Sequence, residues 1–212
     1  MDISESKISK YTESFTTSES DLVRQLLKDT DEKLEHSDML SGRQVGMILQ
    51  LLIKNSGAKR VLDVGTFSGY SALMMAEALA EDGELITIEM NEHYQIVSKP
   101  YIEHAEFRDK IFQIMGNARE IIPRIEGNFD LIFLDADKIF YPEYYKICKQ
   151  KLRAGGLLVI DNVLWSGTVL GNEDEKGRAI HKMNEIIRDD EETEQVMLPL
   201  RDGLTIVRLK SG

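Results

Sequence analysis

Positions 60–71, reading RVLDVGTFSGYS, constrain this chain more tightly than any other stretch. Residues 61–64 are apolar except for Asp63 and read as a short strand buried on both faces. Gly65 then permits a sharp turn, and Gly69 is expected where a side chain would obstruct a ligand. From Tyr70 the pattern turns helical, with Ala72, Leu73, Met75, Ala76 and Leu79 on one broad face. A strand, a glycine turn and a helix start make a cradle whose free N–H groups point outward.

The spacing of that turn narrows the ligand. A dinucleotide fingerprint reads G-x-G-x-x-G and packs pyrophosphate on the helix start. This chain has G-x-x-x-G with Asp63 two residues ahead of the first glycine, an arrangement better suited to a cation than to a phosphate. A second strand, residues 85–88, ends in Glu89, where an acid can accept from a ribose diol. A nucleoside at Glu89 and positive charge near Asp63 point to S-adenosylmethionine rather than NAD. The plain alternative is an ordinary βα turn carrying a surface acid.

Two helices precede this unit. Residues 18–21, SESD, could start a helix that runs to about His36 with Leu22, Leu26 and Leu27 as its stripe. Ser41 is the expected N-cap of a second, carrying Val45, Ile48, Leu49, Leu52 and Ile53 and ending near Gly57. Residues 1–57 thus form a helical extension able to cover a cofactor or to meet a second subunit.

After the second strand come a helix over 91–107 kinked at Pro100, a strand over 111–115 and a short helix ending near Pro123. Residues 130–134 are a central strand, followed by a helix bearing Tyr141, Tyr144 and Tyr145 and a strand over 157–160. Residues 164–177 read as a mobile, glycine-rich loop around the lone Trp165. A helix over 178–188 and a hairpin of 194–198 with 204–209 complete the chain. The expected fold is one α/β domain, residues 1–212: a doubly wound, mostly parallel sheet with helices on both faces and an antiparallel C-terminal edge.

Composition closes off other classes. A net charge of −11 over 212 residues argues against broad nucleic-acid binding, which needs a basic footprint. A single cysteine, Cys148, allows no intramolecular disulfide. The polar N-terminus lacks the apolar core of a signal peptide, and no run approaches a membrane span, so a cytoplasmic protein with no membrane partner is expected.

In open α/β sheets, ligands bind beyond the carboxyl ends of the strands. Five strands here finish in polar residues: Asp63; Glu89; Asn117; Asp135 with Asp137 and Lys138; and Asp161 with Asn162. Asp135, Asp161 and Asn162 offer two carboxylates and an amide oxygen, a hard set suited to Mg²⁺, Mn²⁺ or Ca²⁺. His36, His93, His104, His181 and Cys148 all fall in expected helices or at their ends, so a zinc site is not expected.

With VLDVGTFSGYS at 61–71, Ile88-Glu89, LDADK at 134–138 and DNVLWSG at 161–167, the chain resembles the metal-dependent caffeoyl-CoA/catechol O-methyltransferase family. The resemblance implies a Rossmann-like class I methyltransferase sheet, a homodimer and S-adenosylmethionine as donor. It assigns the methionine end of the cofactor to Asp63, Gly65, Ser71 and the backbone around Tyr70, and the ribose to Glu89. Met90 and Asn117-Ala118 would border the adenine, with Met39 and Ser41 covering the cofactor and Asp135 lying alongside it. Asp135, Asp161 and Asn162 would hold the divalent metal, Mg²⁺ first, and Lys138 would be the general base. The implied acceptor is a phenol with neighbouring hydroxyls, with Lys138, Trp165 and Arg201 as its contacts. The implied alternative acceptor is a 5-hydroxyuridine of tRNA. Catechol enzymes often carry a carboxylate near the last hairpin; here that segment reads Leu198-Pro199-Leu200-Arg201-Asp202-Gly203 and offers a cation instead.

Overall fold

Hydrophobic strands separated by amphipathic helices can bury both sheet faces only if the helices divide between them. The computed structural model, which describes residues 5–35, 39–171 and 174–211, shows that solution. Helices α1 (Glu5–Ser14), α2 (Asp21–Lys33) and α3 (Gly42–Ser56) precede β1 (Arg60–Val64). Then follow α4 (Tyr70–Ala78), β2 (Glu84–Glu89), α5 (Gln95–His104), β3 (Ile111–Met115), α6 (Ala118–Ile121), β4 (Phe129–Leu134), α7 (Tyr141–Lys151) and β5 (Leu152–Asp161). Helix α8 (Glu175–Arg188) and the hairpin β6 (Thr193–Leu198) and β7 (Leu204–Leu209) end the order.

The described strands form one sheet in the order β3-β2-β1-β4-β5-β7-β6, parallel except where β7 meets β5 and β6. Alternate residues of each strand serve opposite layers. Val61, Leu85, Leu131, Phe133 and Val159 pack with α2–α5, whereas Leu62, Ile88, Ile132, Leu134 and Ile160 pack with α7 and α8. The doubly wound sheet with its antiparallel C-terminal edge is therefore as the sequence implies.

Four local differences have physical causes. Helix α1 is not expected from the sequence, because its large apolar residues Ile8 and Tyr11 are exposed and leave no buried stripe to detect. The helix expected over 91–107 opens as a 3-10 turn (Glu92–Tyr94) capped by Asn91 and ends at His104. Trp165–Leu170 forms 3-10 turns within the expected loop. Helix α8 starts at Glu175 rather than Arg178, because Asp174 accepts the Gly177 N–H at 2.7 Å. His36, the expected end of the second helix, lies outside the described residues, as do loop positions 172–173.

Candidate active site

Strand register brings the polar strand ends into one row. Val64 pairs with Ile88 on one side and Leu134 on the other, and Leu134 pairs with Ile160. The next residue of each strand is Gly65, Glu89, Asp135 and Asp161, so four distant sequence positions converge beyond the carboxyl edge. The sheet reverses its strand order between β1 and β4, which is where an open α/β sheet leaves its crevice. A cleft of about 1330 Å³ opens there, room for two ligands side by side.

Gly65 is required by its neighbour strand. Its φ is +111°, and a Cβ there would lie 2.1 Å from the Asp135 carbonyl oxygen. Gly69 has a different role from the one expected: an added Cβ would meet Ser98 of α5 at 3.3 Å, so its bareness serves helix packing.

At the β1–β2 end, Glu89 is fixed by backbone. Its Oε2 accepts from Phe67 N and its Oε1 from Met90 N and Asn91 N, each at 2.8 Å. Phe67 and Tyr94 meet edge to face, with ring centroids 4.7 Å apart. Met39, Gly65, Glu89, Met90, Ala118 and Asp135 all border the cleft. Ser41 takes the N-cap position the sequence suggests, but its side chain makes no cap bond; its hydroxyl donates to Asp135 Oδ2 at 3.4 Å.

The side chains of Ser41, Asp63, Tyr70, Ser71, Asn117 and Asp161 are not among those lining the cleft. Asp63 is fully buried beneath the turn, where it accepts from Thr87 Oγ1 at 2.8 Å and from Ser71 Oγ at 3.0 Å. Burial pushes its carboxyl up to about 7 despite those two hydroxyls. The Tyr70 hydroxyl instead donates to Glu19 at 3.2 Å, and Glu19 in turn holds Arg43 at 2.8 Å. Asn117 caps α6 by accepting from Arg119 N at 3.1 Å. These side chains shape the cradle rather than form its wall.

At the β4–β5 end, Lys138 forms an ion pair with Asp135 and lies 4.9 Å from the Tyr141 ring centroid. Asp161, 2% exposed, accepts from Asn162 N at 2.8 Å, and Tyr141 donates to its backbone carbonyl at 3.0 Å. Its carboxyl is pushed up to about 7, by burial first and then by Asp135 nearby. Asn162, Lys138, Trp165 and Arg201 line this half of the cleft. Among the described residues no three His, Cys, Asp or Glu side chains gather as a metal cage. The donor set here is two carboxylates and an amide, and the mutual repulsion of the carboxylates is what a hard cation would relieve.

Sequence reasoning missed Leu40, Phe67, Tyr94 and Asp202 as cleft residues. It also had no signal for backbone strain. The non-glycine residues with positive φ among those described, Phe67, Asn162, Trp165, Ser166 and Arg201, all border this cleft. Such conformations cost about 1–3 kcal/mol each and persist where surrounding structure enforces them, as functional sites commonly do.

This fold and cleft define a Rossmann-like methyltransferase framework. Residues 12–210 match the O-methyltransferase family. The chain is 34% identical over 204 residues to tricin synthase 2 of Oryza sativa subsp. japonica, spanning 90% of this chain and 70% of that one. It is 32% identical over 195 residues to caffeoyl-CoA O-methyltransferase 1 of Eucalyptus globulus, spanning 86% and 79%. The S-adenosylhomocysteine-bound methyltransferase PaMTH1 of Podospora anserina superposes with a TM-score of 0.90 at 27% identity, covering 97% and 95% of the two chains. TomG of Streptomyces achromogenes, solved with S-adenosylmethionine, gives 0.86 at 26%, covering 97% and 96%. The chain belongs to the O-methyltransferase family of the caffeoyl-CoA type.

Proposed function

We propose that this chain transfers a methyl group from S-adenosylmethionine to one hydroxyl of a phenol bearing two neighbouring hydroxyls, with a divalent cation, Mg²⁺ first, in attendance. One observation carries the reading: a single cleft is lined by Glu89 at one end and by Asp135, Lys138 and Asn162 at the other, with Asp161 buried at the end of the strand beside them. The donor's ribose would meet Glu89, whose three backbone donors hold it rigid for that task. Met39, Met90 and Ala118 would pack against the rest of the nucleoside. Asp63 and Ser71 would act from beneath, holding the Gly65 turn in place.

Asp135, Asp161 and Asn162 would hold the cation, whose charge when bound favours the ionised form of a hydroxyl that otherwise titrates near pH 10. Lys138, 7% exposed and beside Asp135, would take the hydroxyl proton at Nζ in its neutral form, which the charge of a bound cation favours. Trp165 and Leu164 would flank the aromatic ring and keep water from it. Holding both reactants in one cleft supplies much of the acceleration by alignment alone.

A second reading is methylation of 5-hydroxyuridine in tRNA. The cations Lys176 and Arg201 at the cleft favour it; against it, Arg43 and Lys182 are engaged by Glu19 and Glu185. The deciding assay offers labelled donor to caffeic acid with Mg²⁺, to caffeic acid with EDTA, and to tRNA lacking the modification. Metal-dependent labelling of the diphenol is the expected result. Labelling of tRNA alone would favour the second reading, and EDTA-resistant labelling of the diphenol would remove the metal from the first.

A further inference from the structure

The cleft is lined by four acids and three cations, and their partners differ in kind. The acids are occupied. Glu89 takes three backbone N–H groups, Asp137 takes that of Ile139, Asp202 takes that of Ser166, and Asp135 pairs with Lys138. The other two cations have no acid. Among the described residues, neither Lys176 nor Arg201 belongs to any ion pair. Lys176 Nζ instead stands 5.3 Å from the centroid of the Trp165 ring, and Arg201 Nη2 donates to the Leu40 carbonyl at 2.9 Å.

Two cations that form no ion pair among the described residues, on the wall of one cleft, are available to an anionic group on a ligand. Trp165 adds the flat apolar wall that a planar ring needs. A ring stacked on that indole would carry its side-chain substituent toward the ammonium above the same face.

We propose that Lys176, assisted by Arg201, forms an anion subsite that selects diphenols carrying a carboxylate over neutral ones. This rests on the diphenol reading above. The subsite is at the rim, exposed to solvent, so its effect falls on acceptor affinity and weakens with salt.

The test compares kcat/KM for caffeate and for caffeyl alcohol, its uncharged counterpart, in the wild type and in Lys176→Met, Lys176→Arg and Lys176→Glu. The wild type prefers caffeate, and Lys176→Met lowers that preference about tenfold, equivalent to about 1.4 kcal/mol, through KM with kcat retained. Lys176→Arg keeps the preference, Lys176→Glu inverts it, and raising the salt erodes it. A wild type that uses both acceptors equally overturns the subsite and leaves the diphenol reading standing. A preference unchanged in both Lys176→Met and Lys176→Glu does the same. Turnover of neither acceptor overturns both.

Discussion

Asp63 sets a pH dependence that belongs to a single residue. Its carboxyl titrates at about 7 when folded and near 3.9 when unfolded. Between those values the folded chain holds more protons, so the stability this group contributes is fully present below pH 4. It is lost as the pH rises through 7. Asp63→Asn, which keeps an acceptor for Thr87 and Ser71, should therefore gain on the wild type as the pH climbs from 4 to 8, by up to about 4 kcal/mol. Urea melts of the cofactor-free protein at several pH values measure this; a pH-independent difference would show that Asp63 is already ionised. Single residues of this kind were half legible in the sequence. The acids at strand ends stand out because an apolar run stops at each one. Whether such an acid faces the cleft or the core depends on strand pleat, and Asp63 falls on the α4 side with Val61. The positive-φ residues are invisible for a different reason: only one, Asn162, is a residue type that tolerates that region well.

Elements were more legible than residues, because hydrophobic periodicity fixes them before contacts do. Strands β1–β4 and β7 are each marked by an apolar run, and helices α2–α4 by their stripes. Helix α1 gives no sequence signal because its apolar residues face outward, and Ser41 takes the expected N-cap position while its hydroxyl serves Asp135. The joint between elements that matters most is the turn from β6 to β7. Val163 N donates to the Gly203 carbonyl at 3.2 Å and Leu164 N to the Asp202 carbonyl at 2.9 Å, and Ser166 N reaches the Asp202 carboxylate. Gly203 has a φ of +88°, and a Cβ there would lie 2.5 Å from Leu164 Cγ and 3.0 Å from Leu164 N. Gly203→Ala should cost about 1–3 kcal/mol and displace the Trp165 segment. Steady-state kinetics should show a higher KM for the diphenol with the donor KM within about twofold of wild type; equal increases in both would mean the turn holds the whole cleft rather than its acceptor wall.

At the scale of the molecule, no helix among the described residues is long and apolar enough to cross a membrane. Helix α1 nevertheless presents Ile8 and Tyr11 to solvent, with Phe15 just beyond its end and its ring centroid 4.6 Å from that of Tyr11. Large aromatics exposed side by side suit a protein interface. We propose that a second copy of this chain covers them, one of the two roles open to the helical N-terminal extension. Sedimentation should then give twice the 24.2 kDa chain mass, and Tyr11→Glu combined with Phe15→Glu should return the protein to single chains. A wild type that sediments as one chain would leave α1 without that role.

The order in which the walls are synthesised has its own consequence. The donor half of the cleft is built from residues 39–118, whereas the segment carrying Trp165 is held by residues 202 and 203, made after six of the seven strands. A domain folds as a unit, so the cleft is complete only when both of its walls have been synthesised. The β1–β2 side of the cleft is thus synthesised well before the Trp165 segment has anything to lean on, because residues 202 and 203 emerge later. A ribosome-bound chain that stops short of residue 203 would therefore lack the support for that wall, and with it methyl transfer.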